Sequence, residues 1–551
     1  MTVKRKIAGS TLVALTSLLM ACGNAETDGT AASSSQKNST EQTISLMAVQ
    51  EIGSMNSLLS QDSDGFTAQS QVFEGLYRLD KEDNVVPALA VDMPDISEDG
   101  LIYTIKMRED SKWSNGTKVT AHDFVYAWKK LADPDTAANY AFLLDGTILN
   151  GSEITLGKKP VDELGVKAVD DYTLEVKLQN PTTYFLSLLA FNPFYPQNEE
   201  YVESEGDAYA STSDHMIYNG PFTMTDWSNA GSSWTLVKNK DYWDAENVKA
   251  DEIDFQVIKE TGTALNLYDA GELDQAVISG EYVNQRKNDP EYLSTPNAYV
   301  SYFRMNQLRN GSDTIFANEN VRKAVGYAVD KEALVNNVLQ DGSVATYGFV
   351  PHGFVKNPET EEDFREEAGD FLVTDKDQAL SYWKEAQKEI GETIKIELLT
   401  SDGEADKKVA EYLQSQLQDT LPGLNLTIRA VPLQNSIQLT RNSDYDLAFG
   451  RWGPDYQDPM TFLANHLSGG NANYSNPEYD ALLEEASTDL ANEPEARWEA
   501  LIKAETILIE EDAGIVPVYQ QSTTVLQKDN LKGIVQHNFG SPYDYKGAYK
   551  E

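Results

Sequence analysis

Segments typical of β-strands alternate with segments typical of helices along most of the chain. The strand-like segments are rich in β-branched and aromatic residues and cover residues 43–49, 101–107, 172–178, 234–238, 253–258, 394–399 and 424–430. Apolar residues at helical spacing mark residues 121–131, 321–339, 378–390 and 406–417, with Asp330 placed to cap a second helical segment. No repeat of fixed period is present, which argues against solenoids and propellers. The alternation predicts packed α/β lobes.

The charge balance restricts the partners of the chain. Its 551 residues carry 88 acidic and 44 basic side chains, which gives a net charge of −44. A phosphate backbone is held by Lys and Arg and repels an acidic surface, so this balance argues against nucleic-acid binding. Hydrophobic residues make up 40% of the chain, which is enough for a large buried core. We therefore expect a large, acidic, globular protein.

The chain contains a single cysteine, Cys22. One thiol excludes a disulfide framework and any metal site built from several cysteines, and we expect no metal and no cofactor. Cys22 follows a basic segment at residues 4–6 and an apolar segment at residues 7–21, which is shorter than the about 20 residues of a membrane-spanning helix. This pattern is typical of a secretory signal peptide, here residues 1–21.

The residues that end in this cysteine, Leu19-Met20-Ala21-Cys22, resemble the bacterial lipobox. The resemblance implies that Cys22 is diacylated and becomes the first residue of the mature chain, since two acyl chains anchor a protein stably. The alternative is an incidental cysteine after an ordinary signal peptide. Residues 22–42 are rich in small and polar residues and predict a flexible tether. We expect a lipid-anchored protein on the extracellular or periplasmic side of a cell membrane.

Sequence signatures of catalysis are missing. The histidines form neither an HExxH motif nor a helical i, i+4 pair, and no G-x-S-x-G elbow occurs. Residues 151–159 have the wrong glycine spacing for a phosphate loop. Clustered acids such as residues 361–363 are expected in a chain with 88 acidic side chains, and a solvated face explains them better than glycosidase carboxylates. The sequence predicts no enzymatic activity.

Four stretches in a fixed order carry a resemblance to a known family. They are residues 99–124 (DGLIYTIKMR, WSNG and TAHDF), residues 219–243 (NGPF and NKDYW), residues 320–331 (NVRKAV and AVDK) and residues 445–459 (YDLA and WGPDYQDP). Together they resemble the solute-binding proteins of peptide-importing ABC transporters, the oligopeptide-binding group of extracellular family 5. The match in order and spacing runs from about residue 44 to the C-terminus.

The resemblance implies a bilobal periplasmic-binding-protein-like α/β fold of class II with an additional inserted subdomain. Lobe I is then expected to comprise residues 43–76, 211–300 and 521–551, the inserted subdomain residues 77–210, and lobe II, which closes on the ligand, residues 301–520. The chain would recross between the lobes near residues 300 and 520, and closure about these crossings would be hinge-like.

The fourth stretch is where the chemistry points to a ligand. Trp452 and Asp455 lie in a predicted loop punctuated by Gly453 and Pro454, where core packing does not require them. A carboxylate in a cleft suits the α-ammonium of a peptide through a charge-assisted hydrogen bond. In the family, the aspartate at this position contacts the amino terminus of the ligand and the tryptophan lines the cleft, and we add the neighbouring Arg451 to the site. The alternative for Asp455 is the capping of a nearby helix.

Two more segments are assigned to the site by resemblance alone. Gly65, Phe66 and Thr67 match a family region whose main chain pairs with the ligand as an added strand, a mode that tolerates many side chains. Tyr140 aligns with an aromatic residue that lines the cleft.

One departure from the family leaves the ligand length open. Some members hold the ligand's carboxylate with basic side chains that follow the region matching residues 398–401, but Glu404 and Asp406 follow here. No carboxylate-binding residue is therefore carried over.

The sequence thus predicts a lipid-anchored receptor that captures oligopeptides and delivers them to an ABC importer, through membrane permease subunits powered by cytoplasmic ATPases. Receptors for a signalling (pheromone) peptide, a dipeptide, or a nickel or haem complex are alternatives within the same class, and the few histidines weaken the metal reading. A surface hydrolase or adhesin is the alternative from another class.

Overall fold

Three large β-sheets organise the part of the chain that this computed structural model describes, which is residues 42–229, 231–470 and 472–551. The predicted signal peptide, Cys22 and the tether up to residue 41 lie outside the described residues. The first sheet has four strands, in the order Thr43–Ala48, Glu252–Val257, Ser233–Lys238 and Phe222–Thr225. Ile44, Leu46 and Ala48 are buried and alternate with half-buried residues, so one face of this sheet packs into the core.

The second sheet has seven strands and carries the candidate site. Across the sheet they are Gln275–Val277, Ile515–Gln527, Tyr292–Met305, Leu447–Trp452, Ile394–Ser401 and Leu424–Val431, with Val344–Ala345 paired to the second of these. We call Tyr292–Met305 the first crossing strand and Ile515–Gln527 the second crossing strand. They pair antiparallel with each other along most of their length, and the register shifts between Pro296 and Val300.

The crossing strands connect two groups of elements. Near residue 526 the second crossing strand pairs with Gln275–Val277, which packs beside the first sheet. From Val300 onwards the first crossing strand pairs with Leu447–Trp452, which we call the site strand. Residues 300 and 520, near which the chain is predicted to recross between the lobes, lie within these two long strands.

The third sheet is antiparallel, with the strand order Asp95–Ile96, Ile102–Lys106, Thr173–Lys177 and Val166–Asp170. Helix Ala121–Ala132 packs against it and begins with a capping box. The carboxylate of Asp123 accepts the backbone N–H of Thr120 at 2.7 Å and its hydroxyl at 3.1 Å.

Hydrogen bonds join the chain segments that lead into and out of this third sheet. The Asn219 side chain accepts the backbone N–H of Glu74 and donates to its carbonyl, both at 3.0 Å. A Cβ atom on Gly220 would lie 2.6 Å from the carbonyl carbon of Val72, so this close approach requires glycine. The indole N–H of Trp243 donates to the Glu74 carboxylate at 2.6 Å. The second of the four family stretches is therefore scaffold.

Helices and short strand pairs make up the remaining elements. The α-helices are Ser63–Val72, Ala121–Ala132, Gly151–Thr155, Phe185–Leu188, Glu199–Glu205, Thr261–Ala270, Glu281–Arg286, Glu319–Ala328, Lys331–Leu334, Phe364–Ala368, Lys376–Ile390, Glu404–Thr420, Leu433–Arg441, Met460–Leu463, Pro477–Ser487 and Pro494–Thr506. The strand pairs are Tyr77–Leu79 with Val85–Pro87, Leu308–Arg309 with Ser312–Asp313, Leu531–Lys532 with Tyr549–Lys550 and Val535–Gln536 with Tyr543–Asp544. Within the described ranges, no helix has the length and apolarity needed to cross a membrane.

Each strand predicted from the sequence is present, and its ends differ by only a few residues from those expected. The helix predicted over residues 321–339 is interrupted. Glu319–Ala328 ends before Asp330, whose carboxylate accepts the Ala333 N–H at 2.9 Å and caps the next helix, Lys331–Leu334. The predicted cap at Asp330 is thus confirmed.

Candidate functional site

Two adjoining cavities form a cleft next to the crossing strands. The first, which we call the Asp455 cavity, has a volume of about 530 Å³. The second, the Asp406 cavity, has a volume of about 320 Å³. The side chains that line both are Ser63, Asp64, Tyr299 and Arg451, so the two cavities meet at these residues.

Asp455 lies two turn residues beyond the site strand, at the wall of the first cavity. It is only 4% exposed, and its backbone N–H donates to the Thr461 hydroxyl at 2.9 Å. Its carboxylate forms no ion pair with any residue of the described ranges, and burial raises its pKa well above the ordinary value. A buried carboxylate without a cation is suited to receive one from a ligand.

The alternative role for Asp455, a helix cap, is not what the structure shows. At the nearby helix Met460–Leu463, the N–H of Met460 donates instead to the carboxylate of Asp458 at 2.9 Å. Asp458 also pairs with Arg497 at 2.8 Å, so its charge is neutralised within the protein. The Asp455 carboxylate is left for the cavity.

Trp452 is the last residue of the site strand, where it is half-buried and lines the Asp455 cavity. The predicted loop is therefore wrong for Trp452, because Trp452 pairs with Val300 of the first crossing strand. Its indole N–H donates to the carbonyl of Thr461 at 2.8 Å. Thr461 thus positions both Trp452 and Asp455, a role that sequence spacing alone did not reveal.

The segment Gly65–Phe66–Thr67 is helical, so the prediction that its main chain pairs with a ligand as an added strand is wrong. Asp62 caps the helix Ser63–Val72 by accepting the Gly65 N–H at 2.8 Å, and the Phe66 N–H donates to the Asp62 carbonyl at 3.0 Å. These backbone groups are already used within the helix. Phe66 lines the Asp455 cavity and Thr67 the Asp406 cavity, whereas Gly65 lines neither of them.

Tyr140 is buried in the wall of the Asp455 cavity. Its ring packs edge-on against Phe66 and Phe191, with centroids 5.4 Å apart in both cases. Burial and the charge of Asp455 raise the pKa of Tyr140 well above its ordinary value. The structure therefore brings Tyr140, Phe66, Trp452 and Asp455 together around one cavity.

Arg451 lies where the two cavities meet, and its side chain is exposed to the cleft. Loss of water inside the cleft would by itself lower its pKa, but the neighbouring Asp406, Tyr299 and Asp64 raise it. Burial and the charge of Asp62 raise the pKa of Asp64 to about 7. The junction of the cavities therefore holds both signs of charge.

The far wall of the Asp406 cavity is aromatic. Trp234 and Phe255, on neighbouring strands of the first sheet, stack with centroids 5.1 Å apart and an angle of 10° between their planes. No local motif connects these residues, or Asp64, Asp406 and Tyr299, with Asp455, because each comes from a different element, so sequence patterns did not assign them to the site.

Side chains from opposite sides meet across the cleft. The Gln434 side chain donates to the Asp62 carboxylate at 2.9 Å and accepts from Gln61 at 2.8 Å. Tyr184 and Tyr456 stack with centroids 4.2 Å apart. Both contacts join residues far apart in sequence, and the contact of Gln434 links the wall of the Asp455 cavity to the helix Leu433–Arg441.

Comparison with known proteins identifies the class. Residues 84–474 match the family described as bacterial extracellular solute-binding proteins, family 5, middle region. The chain belongs to this family and has its bilobal class II α/β fold with an inserted subdomain.

Similar proteins cover almost the whole chain. A dipeptide-binding protein of Lactococcus lactis is 32% identical over 99% of both chains. The structure of Listeria monocytogenes OppA bound to peptide is 44% identical, with a TM-score of 0.89 over 93% of this chain and 99% of that one. The structure of the pheromone receptor PrgZ, which describes its mode of peptide binding, is 39% identical in sequence. Its TM-score is 0.87 over 93% of this chain and 100% of that one.

Proposed function

We propose that this protein is a lipid-anchored extracellular receptor that captures oligopeptides in the cleft and delivers them to an ABC importer. It binds its ligand without chemical change, and the permease subunits, powered by cytoplasmic ATPases, carry the peptide across the membrane. It acts on the extracellular or periplasmic side of the cell membrane, and Cys22 attaches it to that membrane.

The observation that carries this proposal is the buried carboxylate of Asp455, which has no cationic partner among the described residues and lies in a cavity with aromatic walls. A peptide's α-ammonium would supply the missing positive charge, and a hydrogen bond between charged groups is roughly twice as strong as a neutral one. Trp452, Tyr140 and Phe66 offer flat apolar surface, which accepts side chains of different shape.

We assign the closing motion to the lobes expected from the sequence. Lobe I (residues 43–76, 211–300 and 521–551) holds the first sheet, the inserted subdomain (residues 77–210) holds the third, and lobe II (residues 301–520) holds the site strand. The crossing strands act as the hinge, and the ligand shifts the population towards the closed form.

A binding experiment tests the receptor role. The purified protein is titrated calorimetrically with peptides of two to twelve residues, each with a free or an acetylated amino terminus. We expect binding of the free-amine peptides, and intact peptide recovered after denaturation. Recovery of cleaved peptide would indicate an enzyme, and equal affinity for acetylated peptides would remove Asp455 from the proposed role.

The anchor is tested separately. The mature protein is recovered from membranes and its N-terminal peptide is analysed by mass spectrometry, next to that of the Cys22→Ser variant. We expect a diacylated Cys22 in the wild type and release of the variant from the membrane fraction. An unmodified cysteine in membrane-bound wild type would contradict the anchor.

A further inference from the structure

The arginines of this acidic protein are mostly paired with carboxylates. In the described ranges, those within 4.0 Å of an Asp or Glu oxygen are Arg78, Arg108, Arg286, Arg309, Arg365, Arg429 and Arg497. Those without such a partner are Arg304, Arg322, Arg441 and Arg451. Because acids outnumber bases 88 to 44, an unpaired arginine here is the exception and needs an explanation.

Arg322 has a structural explanation. Its guanidinium donates to the carbonyls of Phe316 at 2.8 Å, Asp512 at 2.9 Å and Ala317 at 3.1 Å. The other three, Arg304, Arg441 and Arg451, all line the Asp455 cavity. In the described ranges, the arginines that lack both a carboxylate partner and hydrogen bonds to backbone carbonyls therefore all lie at the candidate site.

Arg304 and Arg441 come from different elements and approach the same part of the cavity. Arg304, on the first crossing strand, donates through Nε to the Tyr302 hydroxyl at 2.7 Å. Arg441 ends the helix Leu433–Arg441 and donates to the side chain of Asn139 across the cleft. Burial and the charge of Arg304 lower the pKa of Arg441, as expected for two neighbouring cations.

The other charged groups of the cavity do not neutralise this pair. Asp62 is used by the helix cap and by Gln434. Asp64 faces Arg451, with which it interacts electrostatically. Burial and the charge of Arg304 lower the pKa of His466 to about 3, so this histidine is neutral at physiological pH. Asp455 and Tyr140 line the same cavity. The charge of Asp455 raises the pKa of Tyr140, and the charge of Arg441 lowers it.

We propose that Arg304 and Arg441 form a carboxylate-binding subsite in the Asp455 cavity, so that the preferred peptides carry a carboxylate a short distance from their α-ammonium. This inference rests on the proposed peptide-binding function and names the ligand chemistry of the same cleft. Guanidinium groups match a carboxylate in shape and offer paired N–H donors. The carboxylate belongs either to an acidic side chain or to the end of a short peptide.

The subsite also links ligand chemistry to closure. Arg304 and Arg441 both belong to the range expected for lobe II, whereas Asn139, the partner of Arg441, belongs to the inserted subdomain, so closing the cleft confines the two cations in the same small space. An anionic ligand group offsets the repulsion between the two cations, whereas a neutral group at the same place does not.

Calorimetric titration with matched peptides tests the subsite. The series contains peptides of three and five residues with Glu or Gln at the second or third position, each with a free or an amidated C-terminus. We expect removal of the recognised carboxylate to weaken binding to the wild type about 10- to 100-fold, the effect typical of hydrogen bonds between charged groups. The Gln series identifies a side-chain carboxylate and the amide series a terminal one.

Protein variants assign the effect to the two arginines. In Arg304→Gln/Arg441→Gln the difference between carboxylate and neutral peptides is expected to shrink to less than about threefold, whereas Arg304→Lys/Arg441→Lys retains a clear preference. Arg304→Glu should reverse the preference towards peptides with Lys at the same position. Arg429→Gln, which removes a surface pair with Glu397, is the matched control and keeps the wild-type preference.

The outcomes separate the two proposals. If no peptide binds the wild type, the proposed function and the subsite both fail. If free-amine peptides bind but Glu, Gln and amidated forms have equal affinity, the subsite fails and the receptor role stands. If the double Gln variant keeps the full preference, another cation reads the carboxylate and the assignment to Arg304 and Arg441 is overturned.

Discussion

Asp455 combines three properties that rarely occur together in one carboxylate. It is buried, it lacks an ion-pair partner among the described residues, and it lines a cavity of about 530 Å³. Burying a carboxylate without a cation costs free energy, which a structural role would offset with hydrogen bonds or a basic neighbour, as Arg497 does for Asp458. We therefore interpret Asp455 as a ligand-binding group.

Asp455→Asn is expected to weaken binding of free-amine peptides by about 2–5 kcal/mol, because the α-ammonium loses its buried counter-charge. N-acetylated peptides should change little, since they carry no ammonium. Calorimetry on both peptide forms measures the difference. Asp162→Asn, in an exposed pair with Lys129, is the control that should bind as wild type. Equal losses for both peptide forms would contradict the assignment.

The affinity of the wild type for free-amine peptides is expected to rise with pH. Burial raises the pKa of Asp455 well above the ordinary value, so part of the free protein carries a protonated carboxyl that must ionise before it pairs with an ammonium. The rise should be seen below about pH 7.5, where the α-ammonium keeps its charge. Calorimetric titrations across this pH range test the expected rise in affinity. Repeating them in different buffers measures the protons released on binding. Acetylated peptides, or Asp455→Asn, should show no such rise.

Asp64 provides a residue-level test through stability. Its pKa is raised to about 7 in the folded protein, against 3.8 for an unperturbed aspartate. Between these values the folded state binds more protons than the unfolded state, so this group makes the free energy of unfolding fall as pH rises. Relative to the wild type, Asp64→Asn should therefore increase the free energy of unfolding more at pH 8 than at pH 4. Urea midpoints for wild type and variant at both values measure this, and an equal shift at both would contradict it.

At the scale of elements, the site strand and its neighbours are held by close packing at Gly453. A Cβ atom on Gly453, which follows the site strand, would lie 2.3 Å from the ring of Tyr299, whereas one on Gly450 within the strand would meet no heavy atom of the described residues within 4 Å. Tyr299 lines both cavities and its hydroxyl is 2.9 Å from that of Ser63. Position 453 therefore has no room for a Cβ atom unless Tyr299 moves.

Gly453→Ala is expected to destabilise the protein by about 1–3 kcal/mol, because Tyr299 must move to admit the methyl group. Gly450→Ala is the matched control, with a change expected within about 0.5 kcal/mol. Chemical denaturation of both variants gives the comparison. Similar losses of unfolding free energy in the two variants would show that the contact with Tyr299 is not the cause.

The elements themselves follow closely from local patterns, and the site does so only in part. Alternating apolar residues located the strands because each has one buried face, and Asp330 was recognised as a cap because its chemistry is local. The same reasoning applied to Asp62 would have given a helix at Gly65–Thr67, where the family resemblance instead suggested strand pairing. Arg304 and Arg441 had no local signal, since their proximity depends on the packing of a strand against a distant helix.

At the scale of the whole molecule, charge is distributed unevenly. The chain carries a net charge of −44, yet three arginines without carboxylate partners in the described ranges line one cavity. Most ion pairs elsewhere are at least partly exposed, and such pairs contribute little to stability. The cleft therefore contains both cationic and anionic side chains, which suits a ligand that carries charges of both signs.

At the cleft, the contacts of Gln434 are expected to affect ligand release more than ligand capture. Gln434 reaches across from the helix Leu433–Arg441 to Gln61 and Asp62. Gln438, one turn further along the same helix, is exposed and has no such contact. Both residues have the same side chain, so they offer a matched pair that separates the effect of the contact from that of glutamine itself.

Gln434→Ala is expected to speed peptide dissociation about 3- to 10-fold with little change in the association rate, because losing one or two hydrogen bonds lowers the population of the closed form. Gln438→Ala should leave both rates unchanged. Stopped-flow binding measures the two rates for each variant. If the Gln434 variant loses affinity only through slower association, closure precedes capture, and the crossing strands do not act as a hinge that the ligand closes.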